Sequence, residues 1–139
     1  MSILKKITQL NKKTELYKDF RTDFTSHPET SDISIKTDEA AVKESIRNLL
    51  LTNKGERLFR PNLGSNLKYM LFESNTPVVL KLIQEQVKDV LVTYEPRINI
   101  IDVTVISDLD ENNVQINVVF SLRNSEETLS TTVFLERTR

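Results

Sequence analysis

The sequence predicts an α+β domain, with helices first and a three-stranded antiparallel meander last, the helices packed on one sheet face. Three observations predict it. Between Thr37 and Tyr94 the apolar residues recur at three- and four-residue spacing, the rhythm of a buried helix face. After Tyr94-Glu95-Pro96-Arg97 the rhythm changes to alternation, the period of a half-buried strand. Polar stretches at 108–113 and 124–127 then divide the alternating part into three short-linked strands, as in a meander.

The totals fit one domain spanning 37–139, preceded by an N-terminal arm or extension at 1–36. A chain of 139 residues, 38% hydrophobic and 28% charged, suits an ordinary globule with a polar perimeter. Nineteen basic residues against twenty acidic ones leave a formal net charge of −1, which gives no general attraction to nucleic acid or to an acidic membrane. Cysteine is absent, so disulfides and thiolate-held metals are excluded. His27 is the single histidine and has no second imidazole with which to complete a metal or acid–base site. The opening Met1-Ser2-Ile3-Leu4-Lys5-Lys6 has too short an apolar run for a signal peptide, and no apolar stretch reaches membrane-span length.

In the arm, Ile3, Ile7 and Leu10 fit one face of a short helix with Lys5, Lys6, Lys12 and Lys13 outside it. Tyr17, Phe20 and Phe24 read either as helix positions or as anchors of an extended segment. Residues 26–32 are loop-like, and Ile33 and Ile35 alternate as in a short strand. A helix is expected from Thr37-Asp38-Glu39, with Thr37 as cap and the two acids at the positive end of the dipole. Val42, Ile46, Leu49 and Leu50 form its buried stripe, and Asn53 and Gly55 end it.

Both glycines of the chain, Gly55 and Gly64, fall in the next connection. Their scarcity elsewhere points to positions where a side chain would be strained. Between them lie Glu56, Arg57, Leu58, Phe59, Arg60 and Pro61, a mixture suited to a folded loop. Neither GxxxxGK[ST] nor GxGxxG occurs, so the glycines form no phosphate cradle. Packing of Leu58 and Phe59 explains this segment more simply than phosphate binding by Arg57 and Arg60. Ser65 or Asn66 starts a short helix carrying Leu67, Met70 and Leu71. Thr76, followed by Pro77, caps a longer one whose stripe is Leu80, Ile83, Val87, Val90 and Leu91.

At Tyr94-Glu95-Pro96-Arg97 the proline stops the helix and pushes Glu95 toward extended geometry, with Glu95 and Arg97 expected on opposite sides of the kink. Arg97 is positioned to pair locally, to cap the helix end or to present its planar fork to a partner. Ile98, Ile100, Ile101, Val103 and Val105 follow as a strand, and the phase change near Ile100 and Ile101 predicts a bulge. Val114, Ile116, Val118 and Phe120 make a second strand. Leu129, Thr131, Val133 and Leu135 make a third, an edge strand with free backbone groups.

Four stretches carry a resemblance. They are Ser45-Ile46-Arg47-Asn48-Leu49-Leu50-Leu51-Thr52-Asn53-Lys54-Gly55-Glu56-Arg57, Arg60-Pro61-Asn62-Leu63-Gly64, Leu71-Phe72-Glu73 and Tyr94-Glu95-Pro96-Arg97-Ile98. In that order, within residues 37–122, they resemble the small baseplate wedge protein of contractile-tailed bacteriophages, also called the sheath initiator. The related subunit of type VI secretion baseplates shares the pattern. The resemblance implies a structural part of the virion tail baseplate, assembled in the host cytoplasm, with no catalytic residue, cofactor or metal. It implies that Tyr94, Glu95, Pro96 and Arg97 dock on the helical core bundle of the other wedge proteins, around the tail tube and hub. It also implies a conformational loop holding Gly55, Glu56, Arg57, Pro61 and Gly64. The strand of Leu129, Thr131, Val133 and Leu135 is then the one that accepts arms of the tail sheath subunit by strand addition.

Two rival functions have residues of their own. A lysozyme-type hydrolase of peptidoglycan needs two carboxylates across a cleft, and Glu56, Glu73 and Glu95 are the candidates. A nucleic-acid arm would use Lys5, Lys6, Lys12 and Lys13 with Tyr17 and Phe20, against the overall charge.

Overall fold

Helix α3 (Pro77–Tyr94) shows how local chemistry sets the boundaries of the elements. Thr76 is extended at φ −97° and ψ 152°, its side-chain oxygen accepts from Val79 N at 3.4 Å, and Pro77 takes the first helical position, where no amide is needed. Ile83, Val87, Val90 and Leu91 are buried along one face, as the spacing predicts. The fold is a computed structural model, and it describes residues 17–29, 31–73, 76–108, 113–123 and 125–136. The expected helix at Ile3, Ile7 and Leu10 lies outside the described residues, as do Lys5, Lys6, Lys12 and Lys13.

Two units divide the chain, Met1–Ala41 and Val42–Arg139. In the first, β1 (Lys18–Phe20) pairs antiparallel with β2 (Ile35–Thr37), and Ser26 bridges Ile33 within the connection. The extended reading of Phe20 is therefore the one realised, and Phe20 and Phe24 are both exposed. Thr37, expected as a helix cap, is the last residue of β2 and pairs with Lys18. Asp38 then turns the chain with φ +46° and accepts from Tyr17 N.

Helix α1 (Asp38–Leu51) buries Val42, Ile46, Leu49 and Leu50, and the short α2 (Leu67–Met70) buries Leu67. Each such aliphatic side chain contributes about 1.5–3 kcal/mol when fully removed from water. The sheet follows in sequence order, β3 (Ile98–Asp108), β4 (Asn113–Leu122) and β5 (Thr128–Glu136), antiparallel throughout. In the central strand Val114, Ile116, Val118, Phe120 and Leu122 are buried while their neighbours are half-exposed. That alternation is the signature of a sheet covered on one face. The register shifts between Ile100 and Asp102, at the predicted bulge. The extra residue, Ile101, is turned outward, and it moves the core phase from Ile98 to Val103. Packing of α3 on β3 covers part of the sheet, and Gln84 Nε2 donates to the Val103 carbonyl at 2.5 Å.

Candidate docking corner and its loop

The helix-to-strand corner closes on itself. Glu95 ends α3 at φ −123° and ψ 75°, outside the helical region as a residue before proline should be, and its N–H donates to Leu91 O at 2.9 Å. Its own carbonyl faces Ile98 N at 3.5 Å, so residues 95–98 form a turn with Pro96 at the second position. The Arg97 carbonyl accepts from Arg123 N at 3.0 Å, which pins the corner to the end of β4.

That turn corrects the expectation that Glu95 and Arg97 lie on opposite sides. The turn reverses the chain between Glu95 and Ile98, and within it the Glu95 and Arg97 side chains meet on one side as a fork-on-fork pair. Arg97 Nε donates to Glu95 Oε1 at 2.5 Å and Arg97 Nη2 to Oε2 at 2.6 Å. Ser45 of α1 adds its hydroxyl to Oε2 at 2.6 Å. Glu95 is only 2% exposed, whereas the Arg97 side chain is 26% exposed and Pro96 is at the surface. Burial alone pushes the Glu95 carboxyl upward in pKa. The Arg97 and Ser45 hydrogen bonds, together with the Arg97 charge and backbone amide, outweigh it and hold the group below the ordinary glutamate value. The charged form is thus the resting one, and the guanidinium is locked in a single orientation.

Tyr94 links this corner to the loop ahead of α2. Its Oη donates to Asn62 O at 2.6 Å. The loop itself is cinched at its base, where Asn53 and Ser65 form a parallel bridge and Ser65 N donates to Thr52 O at 2.8 Å. Buried Ser65 also donates its hydroxyl to Leu50 O at 2.8 Å. Both glycines occupy left-handed backbone, Gly55 at φ +88° and Gly64 at φ +112°. A Cβ on Gly64 would lie 2.4 Å from Thr52 O, so the base closes only on a glycine. Glu56 turns inward along the chain, its two oxygens accepting from Asn53 N at 2.9 Å and Asn53 Nδ2 at 2.7 Å. These bonds hold its pKa below the ordinary value.

The loop tip differs from expectation. Leu58 and Phe59 do not pack; they are 92% and 98% exposed. The pair occupies the middle of a turn closed by Arg60 N on Arg57 O at 3.1 Å, within a loop closed by Gly55 N on Pro61 O at 2.8 Å. Arg57, Arg60 and Pro61 are exposed around it.

The structure therefore joins Tyr94, Glu95 and Arg97 with two residues that sequence reasoning did not single out, Ser45 and Asn62. Ser45 had a readable signal, a small polar residue beside the α1 stripe at Val42, Ile46 and Leu49. Asn62 acts through its carbonyl and had none. The third strand is placed as predicted, with Leu129, Val133 and Leu135 buried and Thr131 half-buried, so its outward groups are Ser130, Thr132, Phe134 and Glu136. Among the described residues no cluster of His, Cys, Asp and Glu could hold a metal ion, and no helix is long and apolar enough to cross a membrane.

Comparison with known proteins places these features. The family described as Baseplate wedge protein gp25 matches residues 36–127, which takes in the loop, the corner and two strands. Baseplate wedge protein gp25 of Enterobacteria phage T4 is 31% identical over 91 residues, covering 66% of this chain and 69% of that protein. A solved structure described as a putative tail lysozyme from Geobacter sulfurreducens is similar at 28% identity and a TM-score of 0.66, over 70% of this chain and 89% of that one. A chain in the baseplate of the anti-feeding prophage shares the fold at 21% identity and a TM-score of 0.62, over 89% and 88%. With two-thirds of its length matched by the family, including the whole Glu95-Pro96-Arg97 corner, the chain belongs to the Baseplate wedge protein gp25 family.

Proposed function

We propose that this baseplate wedge protein is a non-catalytic joint, docking on the helical core bundle of its wedge through the Tyr94–Arg97 corner and starting sheath polymerisation on the free edge of β5. The observation that carries the first half is the Glu95–Arg97 pair. A carboxylate 2% exposed cannot itself reach a partner, so it acts as the fixed backing for a guanidinium that does. An arginine already held in one rotamer loses little further entropy on docking and recognises a helix-borne carboxylate directionally. Pro96, exposed beside it, adds a rigid apolar contact.

The second half is supported by the two edges of the sheet. On β3, the side chain of Gln84 occupies the Val103 acceptor and α3 packs alongside. That leaves β5 as the better template for an added strand, whose backbone bonds would supply affinity. The inward side chains Leu129, Val133 and Leu135 keep β5 in register, while the backbone does the pairing. This strand lies beyond the matched stretch 36–127, so its role rests on the sheet geometry. Residues 1–36 act as an arm toward a neighbour, and assembly takes place in the host cytoplasm before the virion is complete. Tails assembled without this chain are expected to lack sheath rings at the baseplate; a normal sheath on such tails would remove the initiating role.

The tail lysozyme to which the fold is similar raises hydrolysis as a second reading. A general acid for glycoside cleavage needs an elevated pKa. Glu56 and Glu95 are both held low, by Asn53 and by Arg97 with Ser45 respectively, and Glu73 is exposed in the turn that follows α2. The purified chain should therefore leave peptidoglycan intact. Turnover abolished by a single Glu→Gln change would reinstate the hydrolase.

A further inference from the structure

The loop tip is used by neither half of the proposed function. Leu58 and Phe59 are the most exposed large apolar side chains among the described residues, and they are adjacent. They are also held firmly. Gly55 N donates to Pro61 O at 2.8 Å, Arg60 N to Arg57 O at 3.1 Å and Leu63 N to Arg60 O at 3.0 Å, so successive turns close under the tip. Tyr94 Oη on Asn62 O fastens the same loop to the corner. Two hydrophobes presented on a braced loop cost little to order on contact, which is the property of a docking knob.

Charge narrows what the knob fits. Lys54, Arg57 and Arg60 surround it, against the single acid Glu56, whose oxygens are already engaged by Asn53. Size narrows it further. A phenylalanine buries on the order of 150–250 Å², and with one leucine beside it the pair stays far below the roughly 1,200–2,000 Å² of a stable two-body interface. The knob therefore cannot sustain a dimer of this chain by itself and must act beside other contacts, as in a multi-component assembly. We infer that Leu58 and Phe59 form a second anchor, inserting into an apolar pocket with a carboxylate-lined rim on a neighbouring protein of the baseplate, with Arg57 and Arg60 pairing with that rim.

The test co-expresses the full chain with the wedge proteins of its own tail and measures incorporation. Leu58→Ser with Phe59→Ser should reduce incorporation about tenfold with an unchanged melting curve, because neither side chain packs internally. Arg57→Glu with Arg60→Glu should also reduce it, more at low salt than at high. Because the chain has no cysteine, Phe59→Cys accepts an environment-sensitive dye at that position alone. Its emission should shift to the blue in the wedge complex. Full incorporation of both double variants, or an unshifted dye in the complex, overturns the inference. A shift produced equally by concentrating the chain alone, or by vesicles of phosphatidylcholine and phosphatidylglycerol, overturns it in favour of self-association or a membrane contact.

Discussion

Glu95 decides most of what the corner does. Its carboxylate is buried and accepts from two guanidinium nitrogens and one hydroxyl, so Glu95→Gln removes the charge and sets an amide N–H2 donor against one of those donors. Breaking a buried pair costs about 3–5 kcal/mol, and Arg97, still partly in water, puts Glu95→Gln near the lower end at about 3 kcal/mol. Ser45→Ala should cost about 1.5 kcal/mol, the value of a hydrogen bond to a charged group. The sign of the pH dependence follows from the lowered pKa. The unfolded chain binds a proton at higher pH than the folded one, so the pair stabilises fully above the ordinary glutamate pKa. That contribution is lost as pH falls through the lower, folded value. Denaturant melts of wild type and Glu95→Gln should thus differ at neutral pH and converge in acid. A gap that persisted below the folded value would mean that Glu95 stabilises by shape and not by charge.

Among the elements, helices and strands were legible in the residues because periodicity depends on burial, and burial here is one-sided. The stripe at Ile83, Val87, Val90 and Leu91 and the alternation from Val114 to Phe120 identify their elements without help. Even the bulge was readable, because the adjacent apolar residues Ile100 and Ile101 cannot both face one side of a strand. The N-terminal end of α1 was less so, since Thr37 ends a strand whose register sets it opposite Lys18, nineteen residues away, a pairing that no local rule indicates. The loop tip departs from its composition for a related reason. Leu58 and Phe59 have a core composition, and their exposure follows from the turns that close the loop beneath them, which composition does not encode. Alternate residues of an edge strand turn their N–H away from the sheet, and proline there spares the β4–β5 ladder. A proline scan of β5 should find positions where the domain still melts cooperatively while sheath no longer starts on the baseplate. Sheath growth undisturbed by every folded variant would assign initiation to another surface.

At the scale of the whole molecule, the Val42–Arg139 unit gathers three features through short polar links. The corner receives Ser45 from α1, Tyr94 ties the corner to the loop, and the chain leaving Arg97 becomes the sheet that ends in β5. The candidate site was half legible on this scale. Glu95, Pro96 and Arg97 were identifiable as a set, but whether the two charges faced each other or apart depended on the turn that joins them. The corner is proposed to be an interface as well as a brace. Pro96→Asp, set against Pro96→Ala as the control for the turn geometry that the ring imposes on Glu95, separates the two roles, since Pro96 is exposed and its ring makes none of the Glu95–Arg97 hydrogen bonds. The decisive measurement is co-purification of the tagged chain with its wedge proteins, wild type against Pro96→Asp, each checked for fold by circular dichroism. Docking through the corner predicts a folded variant whose recovery in the complex falls at least about tenfold, in line with loss of an interface anchor. Equal recovery of a folded Pro96→Asp chain would contradict it and leave the corner as a brace alone.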